Sequence, residues 1–128
     1  MRLVHAVATG ILALAATNAS ARSATERGEA RLAHMLGDRV AGPPVQCFEF
    51  VSATKVIQIE GVGVVYDTGP VIYVGRPINK LDPRDTIVGG MRRWEVCASE
   101  RFYTRGRWSG LQTGIADIRE FVPYTRPR

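Results

Sequence analysis

The sequence predicts a mainly β domain with one N-terminal helix, a small antiparallel sandwich or open barrel of about six strands closed by one disulfide. Three observations carry that expectation. Apolar periodicity changes from about 3.6 residues to about 2 after Ala41-Gly42-Pro43-Pro44. The segments that follow are rich in β-branched and aromatic residues and are separated by turns containing Gly or Pro. The only two cysteines, Cys47 and Cys97, bracket that strand-rich run.

Residues 1–21 have the three parts of a secretory signal peptide. Arg2 supplies the positive start, Leu3 to Ala16 carry no charge, and Asn18-Ala19-Ser20-Ala21 offers a small-x-small site for cleavage after Ala21. A transmembrane anchor needs about twenty predominantly apolar residues. This run is shorter, contains Gly10 and ends in small polar residues, so no anchor is expected after cleavage. The expected location is periplasmic or secreted.

Export gives the cysteines their meaning. Disulfides persist outside the reducing cytosol, and two cysteines allow one bridge. The pair lacks the close spacing of a thiol oxidoreductase, and zinc wants four ligands, so a structural Cys47–Cys97 bridge is expected and no metal site. It would close a loop of about fifty residues, which the chain-entropy account values at roughly 4 kcal/mol.

Cleavage leaves about 107 of the 128 residues, enough for one domain. The formal charge falls from +5 to +4, because Arg2 is the only charged residue lost. A mildly basic exported protein suits anionic envelope partners. Charge of this size is also an ordinary solubility device.

Along the chain, Ser23-Ala24-Thr25-Glu26 fits a capping box. Ala30, Ala33, Leu36 and Val40, with Leu32 and Met35 beside them, recur at helical spacing and predict a helix ending near Gly37, weakened by Gly28. His34 is the one histidine left after cleavage, and the helix supplies it with no catalytic partner. Val45 to Phe50 reads as a strand carrying Cys47, and Val56 to Glu60 as a half-buried strand with Ile57 and Ile59 on one face. Val62 to Asp67 and Val71 to Arg76 form the clearest hairpin. Gly69 offers positive φ in its turn, and Tyr66 and Tyr73 are placed to pair across it.

Gly61-Val62-Gly63 resembles a phosphate loop only superficially. The nucleotide fingerprints need further glycines or a Lys-Ser/Thr and then a helix, whereas strand residues follow here, so no cofactor is expected. Asp82 and Asp85 are the nearest approach to a carboxylate pair, in a Pro-containing loop beside Lys80 and Arg84 that favours solvated side chains over general acid–base work. Thr86 to Ala98 predicts a strand pair or one bulged strand, with Trp94 and Val96 on the face opposite Cys97. Arg101 to Thr104 predicts a further strand, Ile115 to Val122 the closing one, and Pro123 onward a basic tail.

One constellation carries chemistry. Arg92, Arg93 and Trp94, then Arg101, Phe102, Tyr103, Arg105, Arg107 and Trp108, interleave cations with aromatic rings. Guanidinium contacts and ring stacking suit an anionic glycan or lipid headgroup, and also single-stranded nucleic acid, which export makes the less favoured ligand. Against this, alternate strand residues face opposite sides, and Glu95 and Glu100 interrupt the run. The competing expectation is a sheet with aromatics inward and arginines outward, protecting an edge. No nucleophile–histidine motif is present, so a non-catalytic envelope protein with a structural or partner-binding role is expected. Its alternatives are a module binding lipopolysaccharide or acidic glycan, and, more remotely, a hydrolase of unassigned type.

Pro44-Val45-Gln46-Cys47, Val64-Val65-Tyr66, Ile72-Tyr73-Val74-Gly75-Arg76-Pro77, Trp94-Glu95-Val96-Cys97 and Glu120-Phe121-Val122-Pro123-Tyr124 together resemble an uncharacterised family of small exported proteins of Gram-negative bacteria. The resemblance spans about Pro44 to Tyr124 and implies a signal peptide followed by a compact β-rich domain with two similarly placed cysteines. It implies no activity and no functional residue. The expected organisation is a signal peptide over 1–21, helix and linker over 22–43, β-rich domain over 44–124 and basic tail over 125–128.

Overall fold

A computed structural model describes residues 23–128. The expected signal peptide, 1–21, lies outside the described residues. Among these residues the first element is helix α1, Ala24–Leu36. Ser23 caps it in extended conformation, its Oγ accepting from the Glu26 N–H at 3.2 Å, and the Gly37 N–H closes the far end on the Ala33 carbonyl. The face that packs is not the one the alanine spacing predicts. Gly28 and Leu32 are buried and Met35 and Leu36 half-buried, while Ala30, Ala33 and Val40 are exposed. Gly28 sets this orientation: a Cβ there would overlap the Glu60 carbonyl oxygen, so the glycine that weakens the helix locally lets it approach the sheet.

Eleven strand segments follow, more than the six expected, arranged in three antiparallel sheets. They are β1 (Val40–Ala41), β2 (Cys47–Glu49), β3 (Lys55–Ile59), β4 (Gly63–Asp67), β5 (Val71–Pro77), β6 (Asp85–Gly89), β7 (Met91–Arg92), β8 (Glu95–Cys97), β9 (Phe102–Gly106), β10 (Gln112–Ala116) and β11 (Ile118–Thr125). One sheet has the order β1-β11-β5-β4-β3, a second β10-β9-β6 and a third β2-β8-β7. They do not close into a barrel.

The five-stranded sheet is the middle layer. On one face Ile59, Val65, Ile72 and Val74 bury Leu32 of α1. Arg76 of β5 forms an ion pair with Glu29 of α1 along the same side. On the other face Val64, Tyr66, Ile118 and Phe121 meet Phe48, Val96, Phe102 and Ala116 from the two small sheets. Phe48 is the centre of this core. Its ring stacks on Tyr73 at 4.0 Å and meets Tyr66 and Phe121 edge-on, each at 5.1 Å.

The β4–β5 hairpin forms as expected, with Tyr66 opposite Tyr73 and Gly69 at φ +97° in its turn. Gly61 and Val62 belong to the β3–β4 turn, where the Val62 N–H donates to the Ile59 carbonyl, and Gly63 opens β4 opposite Ile59. Cys47 and Cys97 are directly opposed in the β2–β8 pair and are bonded. Among the described residues no helix is long and apolar enough to cross a membrane.

Three further expectations are corrected. The segment Ile115 to Val122 is two strands: β10 pairs with β9, and after Asp117 the chain enters the large sheet as β11. Ala116 and Ile118 are both buried, so alternation continues through the corner and conceals it. Strand β11 also runs past Pro123, which was expected to open the tail. The Pro123 carbonyl accepts from the Gly42 N–H, so its nitrogen faces the same side, toward the Gly42–Pro44 stretch, where no ladder bond is required of it. Finally, Trp94 does not share the buried face of Val96. It sits with Arg93 (φ +54°) in the turn between β7 and β8 and is 77 % exposed.

Candidate functional site

Strand β9 is central in its sheet, and its register divides the basic and aromatic residues. Phe102 and Thr104 point inward and are buried. Arg101, Tyr103 and Arg105 therefore share the outer face, with Val88 of β6 and Ile115 of β10 directly opposite Tyr103 on either side. At a rise of about 3.3 Å per residue, the Cα atoms of Arg101 and Arg105 stand roughly 13 Å apart. The line continues past Gly106 into the β9–β10 turn, which carries Arg107 and Trp108.

Among the described residues no ion pair forms on this face, and Glu100, which precedes Arg101, is the carboxylate at its edge. Ion pairs form elsewhere on the surface, Arg76–Glu29, Arg84–Asp82 and Arg119–Asp117, and among the described residues none within 4 Å takes in Arg101, Arg105 or Arg107. No Asp or Glu occurs between Glu100 and Asp117. A shallow hollow beside it is lined by Gly90, Met91, Ser99, Glu100, Arg101 and Tyr103 among others. The arrangement offers two spaced guanidinium forks around a phenol ring, which suits phosphate or carboxylate groups carried on a sugar or lipid.

Arg92, Arg93 and Trp94 lie apart from this line. Gly89 pairs with Phe102 and Asp85 with Gly106, so the Arg93-Trp94 tip and the Arg107-Trp108 tip are at opposite ends of β9. Arg92 pairs across β8 with Glu95, which in turn faces Glu49 of β2, so acids surround that end. The expectation of aromatics inward holds for Phe102 and fails for Trp94 and Trp108, both exposed. The grouping of Arg101, Tyr103 and Arg105 was nevertheless visible as alternate positions. The acid-free interval around them was a second signal.

Other candidates resolve structurally. Asp82 is exposed and ion-paired with Arg84, whose side-chain and backbone hydrogen bonds hold its carboxyl below the usual range. Asp85 accepts from Thr113 Oγ1, which in turn accepts from Thr104 Oγ1 at 2.9 Å. His34 is exposed on α1. The Glu95 carboxylate lies within 4.8 Å of both cysteine sulfurs. Sulfurs bonded to each other carry no thiolate, so they do not make a soft-metal donor set. A cavity of about 310 Å³ opens between the start of α1, the β3–β4 turn and the 77–83 loop. Its Gln58, Asn79 and Asp82 are already committed to hydrogen bonds within the fold.

No family model, curated protein or solved structure matches the chain.

Proposed function

We propose that this is an exported, non-catalytic envelope protein that binds an anionic ligand, a phosphorylated glycolipid or an acidic glycan, on the outer face of β9. The observation that carries the reading is the alignment of exposed Arg101 and Arg105 around half-buried Tyr103, with neither arginine in an ion pair among the described residues. Two further features support it. The Cys47–Cys97 bridge suits an oxidising compartment, and residues 1–21 have the composition of an export signal. In this reading the domain belongs with the exported two-cysteine proteins that its motifs resemble.

Retention on immobilised heparin and on immobilised lipopolysaccharide tests the proposal. Binding through guanidinium groups is screened by salt, with a Debye length of about 8 Å at 0.15 M. The expected result is retention at low ionic strength that is lost as salt rises. Flow-through on both supports at low salt contradicts the proposal.

A further inference from the structure

The β9–β10 turn presents apolar side chains that the fold does not use. Trp108 is 93 % exposed and Leu111 70 % exposed, and Ile115 on β10 is exposed as well. The turn that carries them is held in shape. The Gly106 N–H donates to the Leu111 carbonyl at 3.0 Å, the Gly110 N–H to the Gly106 carbonyl at 2.9 Å, and the Leu111 N–H to Ser109 Oγ at 3.3 Å. An indole and an isobutyl group are thus projected into solvent by a bonded loop, at the end of the strand whose outer face carries Arg101 and Arg105.

Charge decides what such a tip can meet. Arg105 and Arg107 flank it, and the chain from Arg101 to Ala116 contains no acid. Asp85 stands opposite Gly106 and accepts from Thr113, but Arg105 and Arg107 leave the tip net positive, which favours an anionic partner. A tryptophan beside arginines is the composition that settles at the boundary between lipid headgroups and acyl chains, ring inward and cations at the phosphates. The Arg93-Trp94 tip is the internal contrast: its tryptophan is also exposed, but Glu95 follows it and Glu49 stands across the sheet. Arg92 and Arg93 there are balanced by Glu95 and Glu49, so an anionic surface exerts no net pull on that end.

We propose that the β9–β10 tip docks on an anionic bilayer, with Trp108 and Leu111 entering the headgroup boundary while Arg105 and Arg107 contact lipid phosphates. This rests on the reading of β9 as an anion-binding face and narrows its ligand to phosphate displayed on a lipid surface. Each cation near such a surface contributes roughly fivefold in binding, so the arginines bring the tip to the membrane and the tryptophan holds it there.

The test uses vesicles of phosphatidylglycerol mixed with phosphatidylcholine, and vesicles of phosphatidylcholine alone. In Trp94→Phe the one remaining tryptophan is Trp108, and in Trp108→Phe it is Trp94. The expected result is a blue shift and quenching by brominated lipid in Trp94→Phe with the anionic vesicles only, and neither change in Trp108→Phe. Trp108→Ala with Leu111→Ser is expected to weaken co-sedimentation by roughly tenfold or more while heparin retention stays intact. An unshifted Trp108 emission in a protein that still binds heparin overturns membrane docking and leaves the anion-binding reading standing. Loss of both activities in the unaltered protein removes both. Vesicle binding that ignores Trp108 and Leu111 overturns the insertion of the tip.

Discussion

The Gln58 carboxamide hydrogen-bonds the backbone of β6 as a neighbouring strand would. Its Oε1 accepts from the Ile87 N–H at 2.8 Å and its Nε2 donates to the Asp85 carbonyl at 2.9 Å. Strand β6 is at the edge of the β10-β9-β6 sheet, and β3, which carries Gln58, is at the edge of the five-stranded sheet. One side chain therefore covers part of one open edge and ties the two layers together. Gln58→Leu leaves the half-buried Ile87 N–H without a partner. Urea unfolding is expected to show a loss of about 1–3 kcal/mol with little change in m-value.

Gly28→Ala separates two opposed effects. Helix propensity alone favours alanine by about 1 kcal/mol. The new Cβ, however, overlaps the Glu60 carbonyl oxygen, and backbone on both sides restricts relief. Overpacking of this kind typically costs roughly 1–3 kcal/mol, so a net destabilisation is expected in thermal or urea unfolding. A stabilised variant would mean that α1 does not pack at Gly28.

The bridge between Cys47 and Cys97 closes a separation of 50 residues. Replacing both cysteines by serine is expected to lower stability by roughly 4 kcal/mol, a large part of what a domain of this size has. Intact mass after alkylation is expected to show no free thiol before reduction and two after it.

Tyr66 is buried, and desolvation pushes its hydroxyl up to about 12. A raised value in the folded state means that the unfolded chain loses this proton first. The stability it confers is whole below about pH 10, where an unfolded tyrosine begins to ionise, and is lost as pH rises toward 12. Tyr66→Phe is expected to flatten the decline of stability across that window by on the order of 2–3 kcal/mol, measured as urea midpoints at successive pH values.

What could be read from the sequence was what local chemistry decides. The β4–β5 hairpin follows from two β-branched runs around Asp67–Pro70, and the Asp67 carboxylate accepting from the Gly69 N–H completes that turn. The corner at Asp117 had no such local signal. It is fixed by Asn79, which accepts from the Asp117 N–H and donates to the Ile115 carbonyl, 38 and 36 residues away. Trp94 was misplaced because strand alternation was extended through a hairpin turn. The packing face of α1 was misread because Gly28 counts against a helix and for a close contact. At the candidate site the alternation of Arg101, Tyr103 and Arg105 was legible, but only the β9 register excludes Arg92 and Arg93 from that face.

The central claim is that the outer face of β9 binds anions, and a comparison of two double variants tests it most directly. Affinity for lipopolysaccharide is measured at fixed low salt for the unaltered protein, for Arg101→Ala with Arg105→Ala, and for Arg92→Ala with Arg93→Ala. At about 1 kcal/mol per guanidinium contact, the first pair is expected to weaken binding by roughly ten- to thirtyfold. The second pair, set among Glu95 and Glu49, is expected to change it far less. Equal losses from the two pairs would mean that only net charge is sensed, and an unchanged affinity in Arg101→Ala with Arg105→Ala would contradict the account.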